Sequence, residues 1–229
     1  MSLRPAVLIT GMAEGLGASV AKAFAADGYD AIGLSRRAQP PSGLPDGGVY
    51  AHLRCDLTDP AQVAAAIAPH AERISVLVHN AHALLIKPFG ETALDDFERA
   101  WRVACFGAMV AARAVLPAML ARGRGTVIFT GATASRRGAA KFAAFASAKF
   151  ALRGLAQSLA REYGPQGIHV AHVLLDGLID EPQSVQRFGT SESGRMAPDA
   201  IAAGYVDLAR QHPSAWTHEL DLRPFSERF

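Results

Sequence analysis

Short apolar runs alternate with longer segments of helical periodicity along most of the chain. Seven runs are rich in aliphatic residues, at residues 6–10, 31–35, 49–57, 74–81, 125–131, 168–177 and 215–222. Between them, apolar positions recur every three to four residues at 17–28, 59–71, 94–120, 142–164 and 198–213. Nearly continuous apolar runs are typical of strands buried on both faces, and the longer periodic segments are typical of helices that cover such strands.

This alternation predicts an α/β fold in which one parallel sheet is flanked by helices on both faces. No internal repeat or linker divides the sequence, so we expect a single domain over residues 1–229. The Pro- and Gly-rich residues 38–48 predict a loop between the second and third strands, and the polar residues 182–197 predict a mobile loop.

Composition and charge exclude several classes of protein. The net charge is +2 and the arginines are spread along the chain, which argues against a nucleic-acid or membrane-surface partner. Cys55 and Cys105 lack metal-ligand spacing, so we expect no metal site and a reducing compartment. The N-terminal segment lacks the apolar core of a signal peptide, and we expect no apolar run near the roughly 20 residues that span a bilayer. A cytoplasmic protein acting on a small molecule is therefore predicted.

A glycine-rich turn joins the first predicted strand to the first predicted helix. Gly11, Gly15 and Gly17 lie in the segment TGMAEGLG. Such a turn lets backbone N–H groups and the positive end of a helix approach a pyrophosphate. The GxxxGxG spacing differs from the GxGxxG of the standard dinucleotide fingerprint, and a tight strand-to-helix turn would also use glycine.

The end of the second predicted strand indicates which dinucleotide is bound. Ser35, Arg36 and Arg37 stand there, without the carboxylate that would bind the adenosine ribose hydroxyls. An arginine at this point suits a 2′-phosphate, so NADP(H) is favoured over NAD(H). Glu14 counts against this choice, because it lies where a basic residue would help the same phosphate. The alternative is that both arginines belong to a solvated loop.

The order and spacing of several motifs resemble the short-chain dehydrogenase/reductase family over nearly the whole chain. These motifs are TGxxxGxG, Asp56 in CDLTD, the HNA segment at 79–81 and Lys149 on a helix. The resemblance implies an oxidoreductase with a Rossmann-type sheet of strand order 3-2-1-4-5-6-7. It also implies further cofactor contacts from Met12, Glu14, Leu16, Asp56, Leu57, Asn80, Ala81, Lys149, Gly177 and Ile179. There is a structural alternative for two of these residues. Asp56 could instead cap the helix that begins at Pro60, and Asn80 could instead be a turn residue at the end of its strand.

The catalytic pattern of that family is incomplete in this chain. The family uses Asn, Ser, Tyr and Lys, with the Tyr four residues before the Lys. The corresponding residues here are Ala104, Ala132, Phe145 and Lys149. Lys149 shares the apolar face of its helix with Phe145, so its amine should be buried, where the resemblance implies a hydrogen bond to the nicotinamide ribose. Alternatively, its stem packs on the helix and its head reaches backbone carbonyls or solvent.

Carbonyl reduction also needs a proton, and three residues near the expected nicotinamide pocket are candidates to supply it. His82 comes first because imidazole titrates near neutral pH, followed by Asp176 and Ser135. Each also suits a local loop or cap role. Losing a positioned acid costs on the order of 10²–10⁴ in rate. Three functions therefore stay open: a reductase with another proton donor, a reductase of an activated C=C bond, and a catalytically silent NADP(H)-binding sensor or partner subunit.

Two features point to other surfaces of the protein. The predicted helices at 94–121 and 142–163 carry small residues on more than one side, so a second surface should cover them. In the family these helices pair across a twofold axis, which implies a homodimer or homotetramer. The loop at 182–197 lies where the family keeps its substrate lid, and its Arg187, Phe188 and Arg195 suit an anionic or mixed substrate, or simply solvent.

Overall fold

The parallel sheet and its strand order are confirmed. A computed structural model describes residues 4–37, 39–42, 44, 50–189 and 194–226. Seven strands form one sheet in the order β3-β2-β1-β4-β5-β6-β9, and all neighbouring pairs are parallel. The strands are β1 Ala6–Thr10, β2 Asp30–Ser35, β3 Tyr50–Arg54, β4 Ile74–His79, β5 Gly125–Thr130, β6 Ile168–Leu175 and β9 Glu219–Leu222, with a separate pair β7 Leu178–Ile179 and β8 Arg195–Met196.

Helices cover both faces of the sheet because parallel strands need crossover connections. The helices are α1 Leu16–Ala26, α2 Pro60–Ile67, α3 Leu94–Trp101, α4 Gly107–Ala121, α5 Ala143–Tyr163, α6 Pro182–Phe188 and α7 Pro198–Arg210. Alternate residues of β1 enter opposite cores. Leu8 packs with the buried residues of α2, α4 and α5, and Ile9 packs with those of α1 and α7. This two-sided burial explains why the strand sequences are continuous in apolar residues.

The long helix predicted at 94–120 is interrupted. A π-helical turn, Arg102–Phe106, separates α3 from α4. The whole run Leu94–Ala121 is also long and apolar enough to cross a membrane by length and composition, which corrects the expectation that no such run exists. In its most apolar window 61% of the residues are buried, and α4 packs on β4 and β5, as the core helix of a globular fold does.

Several predicted boundaries are also corrected. The segment 182–197 contains α6 and β8 rather than only a loop, because Pro182 at the first helical turn favours helix initiation; residues 190–193 lie outside the described residues. Of the predicted loop 38–48, only residues 39–42 and 44 are described. The strands β3, β4 and β6 end two or three residues earlier than predicted, because apolar character continues into the loops that follow them.

Candidate functional site

A cleft opens at the carboxyl ends of the central strands. It consists of a cavity of about 420 Å³ around the glycine turn and a larger one of about 1390 Å³ beside it. Arg36, Asn80, His82 and Glu181 line both cavities, so the two form one continuous space. The strand order reverses between β1 and β4, and ligands of open α/β sheets bind in the crevice at such a switch point.

The glycine turn is built for close backbone approach. Gly11 has φ 79°, and a Cβ atom there would lie 2.8 Å from the Cα of Ala81. Gly15 has φ 91°, a backbone conformation that favours glycine. A Cβ atom at Gly17 would lie 2.7 Å from the carbonyl oxygen of Gly11. Asn80 donates from Nδ2 to that same carbonyl at 3.4 Å. The turn and the end of β4 therefore hold each other in place.

The N-terminus of α1 already binds an anionic oxygen from the chain itself. The backbone N–H of Leu16 donates to Oε2 of Glu181 at 3.2 Å. This carboxylate oxygen stands in for a phosphate oxygen, so the residues present fit a phosphate group at this point. Burial raises the pKa of Glu181. In the sequence, an acid just before Pro182 suggests only the start of α6. No sequence signal marks Glu181 as a site residue, because its side chain contacts α1 instead.

The residues after β2 form the far end of the smaller cavity. Arg36 and Arg37 are exposed and line both cavities. Ser35 lines the smaller cavity and accepts a hydrogen bond through Oγ from the backbone N–H of Arg37 at 3.2 Å. Glu14 lines the same cavity, and its Oε1 accepts a hydrogen bond from the Ser42 hydroxyl at 3.1 Å. Two guanidinium groups and one carboxylate thus share this end of the cleft.

Asp56 and Leu57 line the smaller cavity from the loop after β3. Oδ1 of Asp56 accepts from the backbone N–H of Thr58 at 2.9 Å and from its hydroxyl at 2.8 Å. These bonds lower the pKa of Asp56, with the backbone bond as the larger cause. The cap of α2 is Asp59, which accepts from the N–H groups of residues 61 and 62. The local alternative for Asp56 as the cap of that helix is therefore wrong.

Other residues implied by the resemblance lie at different depths. Leu16 and Ala81 line the smaller cavity, Gly177 lines the larger one, and Ile179 lines both. Met12 is fully buried, and a Cβ atom at Gly33 would lie 2.7 Å from its Cβ, so its side chain packs on β2 in the core. It does not line either cavity.

Lys149 is buried and lines the larger cavity. Its side chain is 2% exposed, and its Nζ donates to the carbonyl oxygen of Thr130 at 2.7 Å. Nζ also lies 5.7 Å from the ring centroid of Phe145. Burial lowers the pKa of Lys149 to about 7. Because an ammonium carries three N–H donors and the carbonyl uses one, the others are free to serve a ligand in the cleft.

The three positions that depart from the family pattern offer no donor side chain. Phe145 and Ala132 line the larger cavity, and neither carries a polar atom. Ala104 is buried in the π-helical turn. Its backbone carbonyl accepts a hydrogen bond from Nε2 of His79 at 3.0 Å. No hydroxyl group therefore stands in the place of the family tyrosine or serine.

His79 is a core residue rather than a cleft residue. It is fully buried, and its Nδ1 lies 2.7 Å from the hydroxyl of Thr10. Desolvation lowers its pKa to about 3, so the ring is neutral at physiological pH. The hydroxyl then donates to Nδ1, and Nε2–H donates to Ala104. His79 thereby ties β1 and β4 to the π-helical turn.

Of the three candidate proton donors, only His82 opens on the cleft. Its ring stands edge-on to Phe145 with centroids 6.0 Å apart, and its Nδ1 lies 3.3 Å from the carbonyl oxygen of Asn80. His82 is exposed and lines both cavities. Desolvation, and then the charge of Lys149, lower the pKa of His82. At neutral pH the ring is neutral, with Nδ1–H directed at the carbonyl and the Nε2 lone pair available.

The other two candidates are engaged elsewhere. Oδ1 of Asp176 accepts from the hydroxyl of Thr133 at 2.6 Å, and Oδ2 lies 3.2 Å from Nη2 of Arg223. Ser135 is fully buried, and its Oγ accepts from the backbone N–H of Ala132 at 3.2 Å. Neither Asp176 nor Ser135 lines the cavities, so we assign no proton transfer to either.

The outer part of the larger cavity mixes apolar and cationic side chains. Arg187 and Phe188 of α6 line it, as the sequence suggested, and Nη1 of Arg187 donates to the backbone carbonyl of Leu84 at 3.0 Å. Arg195 instead donates to the hydroxyl of Ser184 at 2.9 Å and braces α6. Two further arginines line this part of the cavity, Arg99 and Arg137. No sequence motif marks them, because they come from α3 and from the loop after β5.

Comparison with known proteins finds similar sequences and folds. The family model described as short chain dehydrogenase matches residues 5–185. The 3-alpha-(or 20-beta)-hydroxysteroid dehydrogenase of Mycobacterium bovis is 34% identical over 188 residues, covering 77% of this chain and 70% of that protein. The crystal structure of a short-chain dehydrogenase from Rhodopseudomonas palustris has a TM-score of 0.76 and 34% identity, covering 96% and 99% of the two chains. A metagenomic short-chain oxidoreductase in complex with NADP has a TM-score of 0.83 and 25% identity, covering 96% and 97%.

Proposed function

The chain belongs to the short-chain dehydrogenase family, and on that premise we propose that it is an NADP(H)-dependent oxidoreductase with an altered catalytic centre. Its substrate would be a small molecule with a carbonyl group or an activated C=C bond. The observation that carries this proposal is the juxtaposition of two groups in one cleft. A helix N-terminus that binds an anionic oxygen, at Leu16, and a buried amine, at Lys149, open on the same continuous space.

The cofactor, when bound, supplies or accepts the hydride. The described residues divide the task of holding it. The glycine turn and α1 would bind the pyrophosphate, Arg36 and Arg37 would bind the 2′-phosphate, and Lys149 would bind the nicotinamide ribose. The NADP bound in the metagenomic relative supports this choice of cofactor.

The proton would come from groups that differ from those of the family pattern. With its pKa lowered to about 7, Lys149 is present as both ammonium and amine at neutral pH, so it can give or take a proton. The neutral ring of His82 offers a free Nε2, which can accept a proton from an alcohol in the oxidative direction. A C=C substrate takes its proton on carbon, and water can provide it.

Cofactor choice is tested by binding. We expect NADPH to bind more tightly than NADH when both are titrated against the wild-type chain by nicotinamide fluorescence. Arg36→Ala should weaken NADPH binding by about tenfold or more and leave NADH binding nearly unchanged, since only NADPH carries the 2′-phosphate. The control is Arg124→Ala, an exposed arginine outside the cleft. Equal affinity for both cofactors, unaffected by Arg36→Ala, would contradict the preference.

Catalysis is tested by turnover. We expect NADPH oxidation with at least one member of a panel of aldehydes, ketones and enones. Lys149→Met should abolish it, and His82→Ala should reduce it for carbonyl substrates.

A distinct observation favours the second candidate, a catalytically silent NADP(H)-binding sensor or partner subunit. Ala104, Ala132 and Phe145 leave three positions of the family pattern without a donor side chain. Tight cofactor binding without turnover of any panel member is the result expected for that candidate.

We also propose that copies of the chain pair through the outer faces of α3, α4 and α5, which lie within the helices predicted at 94–121 and 142–163. Large apolar side chains are exposed in this region, with Leu94 87% exposed, Phe150 44% and Trp101 40%. Exposed apolar patches of this kind mark protein–protein contacts. Size-exclusion chromatography with light scattering should give a multiple of 24.2 kDa. A mass of one chain at micromolar concentration would refute the pairing.

A further inference from the structure

The side chain of Glu181 lies against Gly15, in the glycine turn between β1 and α1. A Cβ atom placed on Gly15 would lie 2.6 Å from the Cβ of Glu181, so the glutamate side chain packs directly against the glycine turn. Its Oε2 accepts the N–H of Leu16 at 3.2 Å, which is the first residue of α1. The space that glycine leaves for a ligand is thus filled by the chain itself.

Among the described residues, no other side chain hydrogen-bonds to this end of α1. Gly15 offers no side-chain cap, and α1 has no acidic residue in its first turn. The positive end of α1 therefore attracts the nearest anionic group, and among the described residues that group is Glu181. A helix end of this kind binds a phosphate in the same way as it binds a carboxylate. The Glu181 carboxylate and a phosphate group cannot both accept the N–H of Leu16 and fill the space at Gly15 at the same time.

We propose that Glu181 competes with the cofactor pyrophosphate for the N-terminus of α1, so that its carboxylate sets cofactor affinity and makes binding stronger at lower pH. This inference rests on the proposed function, since it takes the ligand to be a nicotinamide dinucleotide. Glu181 must leave the glycine turn before the cofactor can enter, and the lost N–H contact is subtracted from the binding free energy.

The charges around Glu181 do not hold it elsewhere. Several titratable or charged groups line the same cleft: Glu14, Arg36, Arg37, Asp56, His82, Lys149 and Arg187. None of these described residues makes an ion pair with Glu181, and its side chain is half-buried. The contact with α1 is therefore its principal polar interaction.

Acidification should relieve the competition. Burial raises the pKa of Glu181, so it loses its charge at a higher pH than an exposed glutamate does. A protonated carboxyl group binds the helix end less strongly than a carboxylate and does not repel a pyrophosphate. Cofactor affinity of the wild-type chain should therefore rise as the pH falls from 7.5 to 5, provided that Glu181 is the group that titrates.

The experiment is calorimetric titration of the full chain with NADH, and in parallel with NADPH, at pH 7.5 and pH 5. NADH is the primary probe because it lacks the 2′-phosphate, which itself titrates in this range. Glu181→Gln keeps the size of the side chain and removes its charge, and Glu181→Ala removes the contact altogether. The matched control is Asp180→Asn, which removes the same charge from the adjacent, exposed residue that does not line the cleft.

At pH 7.5 we expect Glu181→Gln to bind NADH about tenfold more tightly than wild type, which corresponds to about 1.4 kcal/mol. The difference between the two proteins should be smaller at pH 5 than at pH 7.5, and Asp180→Asn should stay within about twofold of wild type. Cofactor bound equally or less tightly by both Glu181 variants at pH 7.5 would overturn the inference and leave the proposed function standing. Absence of binding by the wild type and all variants at millimolar cofactor would instead overturn the proposed function, and the inference with it.

Discussion

Replacing Lys149 by Met should stabilise the protein at pH 6 while removing its function. Lys149 is 2% exposed, and burial lowers its pKa from 10.5 to about 7. At about 1.4 kcal/mol per pK unit, holding the amine charged below pH 7 costs the folded state about 5 kcal/mol. Met has a similar length and carries no charge. It leaves the carbonyl of Thr130 without its donor, which costs about 1–3 kcal/mol. The net gain in the free energy of unfolding is therefore about 2–4 kcal/mol.

The sign of the pH dependence distinguishes this effect from ordinary packing. The folded-state pKa of Lys149 is lower than that of the unfolded chain, so between about pH 7 and pH 10.5 the unfolded chain binds more protons. Wild-type stability should therefore rise with pH across this window relative to the Met variant. The stability advantage of the Met variant should shrink from pH 6 towards pH 10, because Lys149 becomes neutral in the folded state and its burial no longer costs free energy. At higher pH the difference should reverse, because the variant still lacks the hydrogen bond to Thr130.

The assay is urea unfolding followed by circular dichroism at pH 6, 8 and 10, with the free energy obtained by linear extrapolation. Lys22→Met on α1 is the control, because Lys22 lies partly exposed outside the cleft and its difference from wild type should not change with pH. A Lys149→Met protein that is less stable than wild type at pH 6 would refute the reasoning. A stability difference that stays constant from pH 6 to pH 10 would refute it too.

His79→Ala should lower the free energy of unfolding by about 3 kcal/mol in urea titrations, since it opens a cavity and leaves the Ala104 carbonyl unpaired; a loss below about 1 kcal/mol would count against that role. Arg153 holds the pKa of Glu219 at about 2, so this pair should stabilise the fold above pH 4.5 and lose that effect as the pH falls through 2. Thermal melts from pH 6 to pH 2.5 should show a loss of about 1 kcal/mol in wild type that Glu219→Gln lacks, and parallel curves would argue otherwise. Phe145→Tyr should raise kcat/KM for carbonyl reduction about 10²-fold by supplying a hydroxyl beside the buried amine. Unchanged kcat/KM with cofactor binding intact would contradict this expectation.

Local sequence patterns were sufficient for most of the fold and for the backbone of the cleft. Gly11 and Gly15 adopt the positive φ angles that favour glycine, and Asp59 with Pro60 begins α2 where a cap followed by proline predicts a helix. These features depend on neighbours within a few residues, so the sequence contains them directly. The single-domain organisation, the pairing of copies and a cytoplasmic location stay predictions.

The partners of the candidate site residues required the fold. The sequence offered His82 first and Asp176 second as proton donors. In the fold His82 opens on the cleft, whereas Asp176 is bound by Thr133 and Arg223. Thr133 and Arg223 lie 43 and 47 positions from Asp176 in the chain. They approach Asp176 only because of the order in which the strands pair.

By itself, the amino-acid sequence determined that apolar runs form a parallel sheet, that glycines form the turn between β1 and α1, and that a buried lysine stands without a tyrosine or a serine. These conclusions follow from periodicity and from residue types at short spacing. Only the tertiary structure decided that Glu181 fills the glycine turn and that His79 braces a π-helical turn. Each of these contacts joins residues from distant segments, and a side chain's partners are set by which segments the fold brings together.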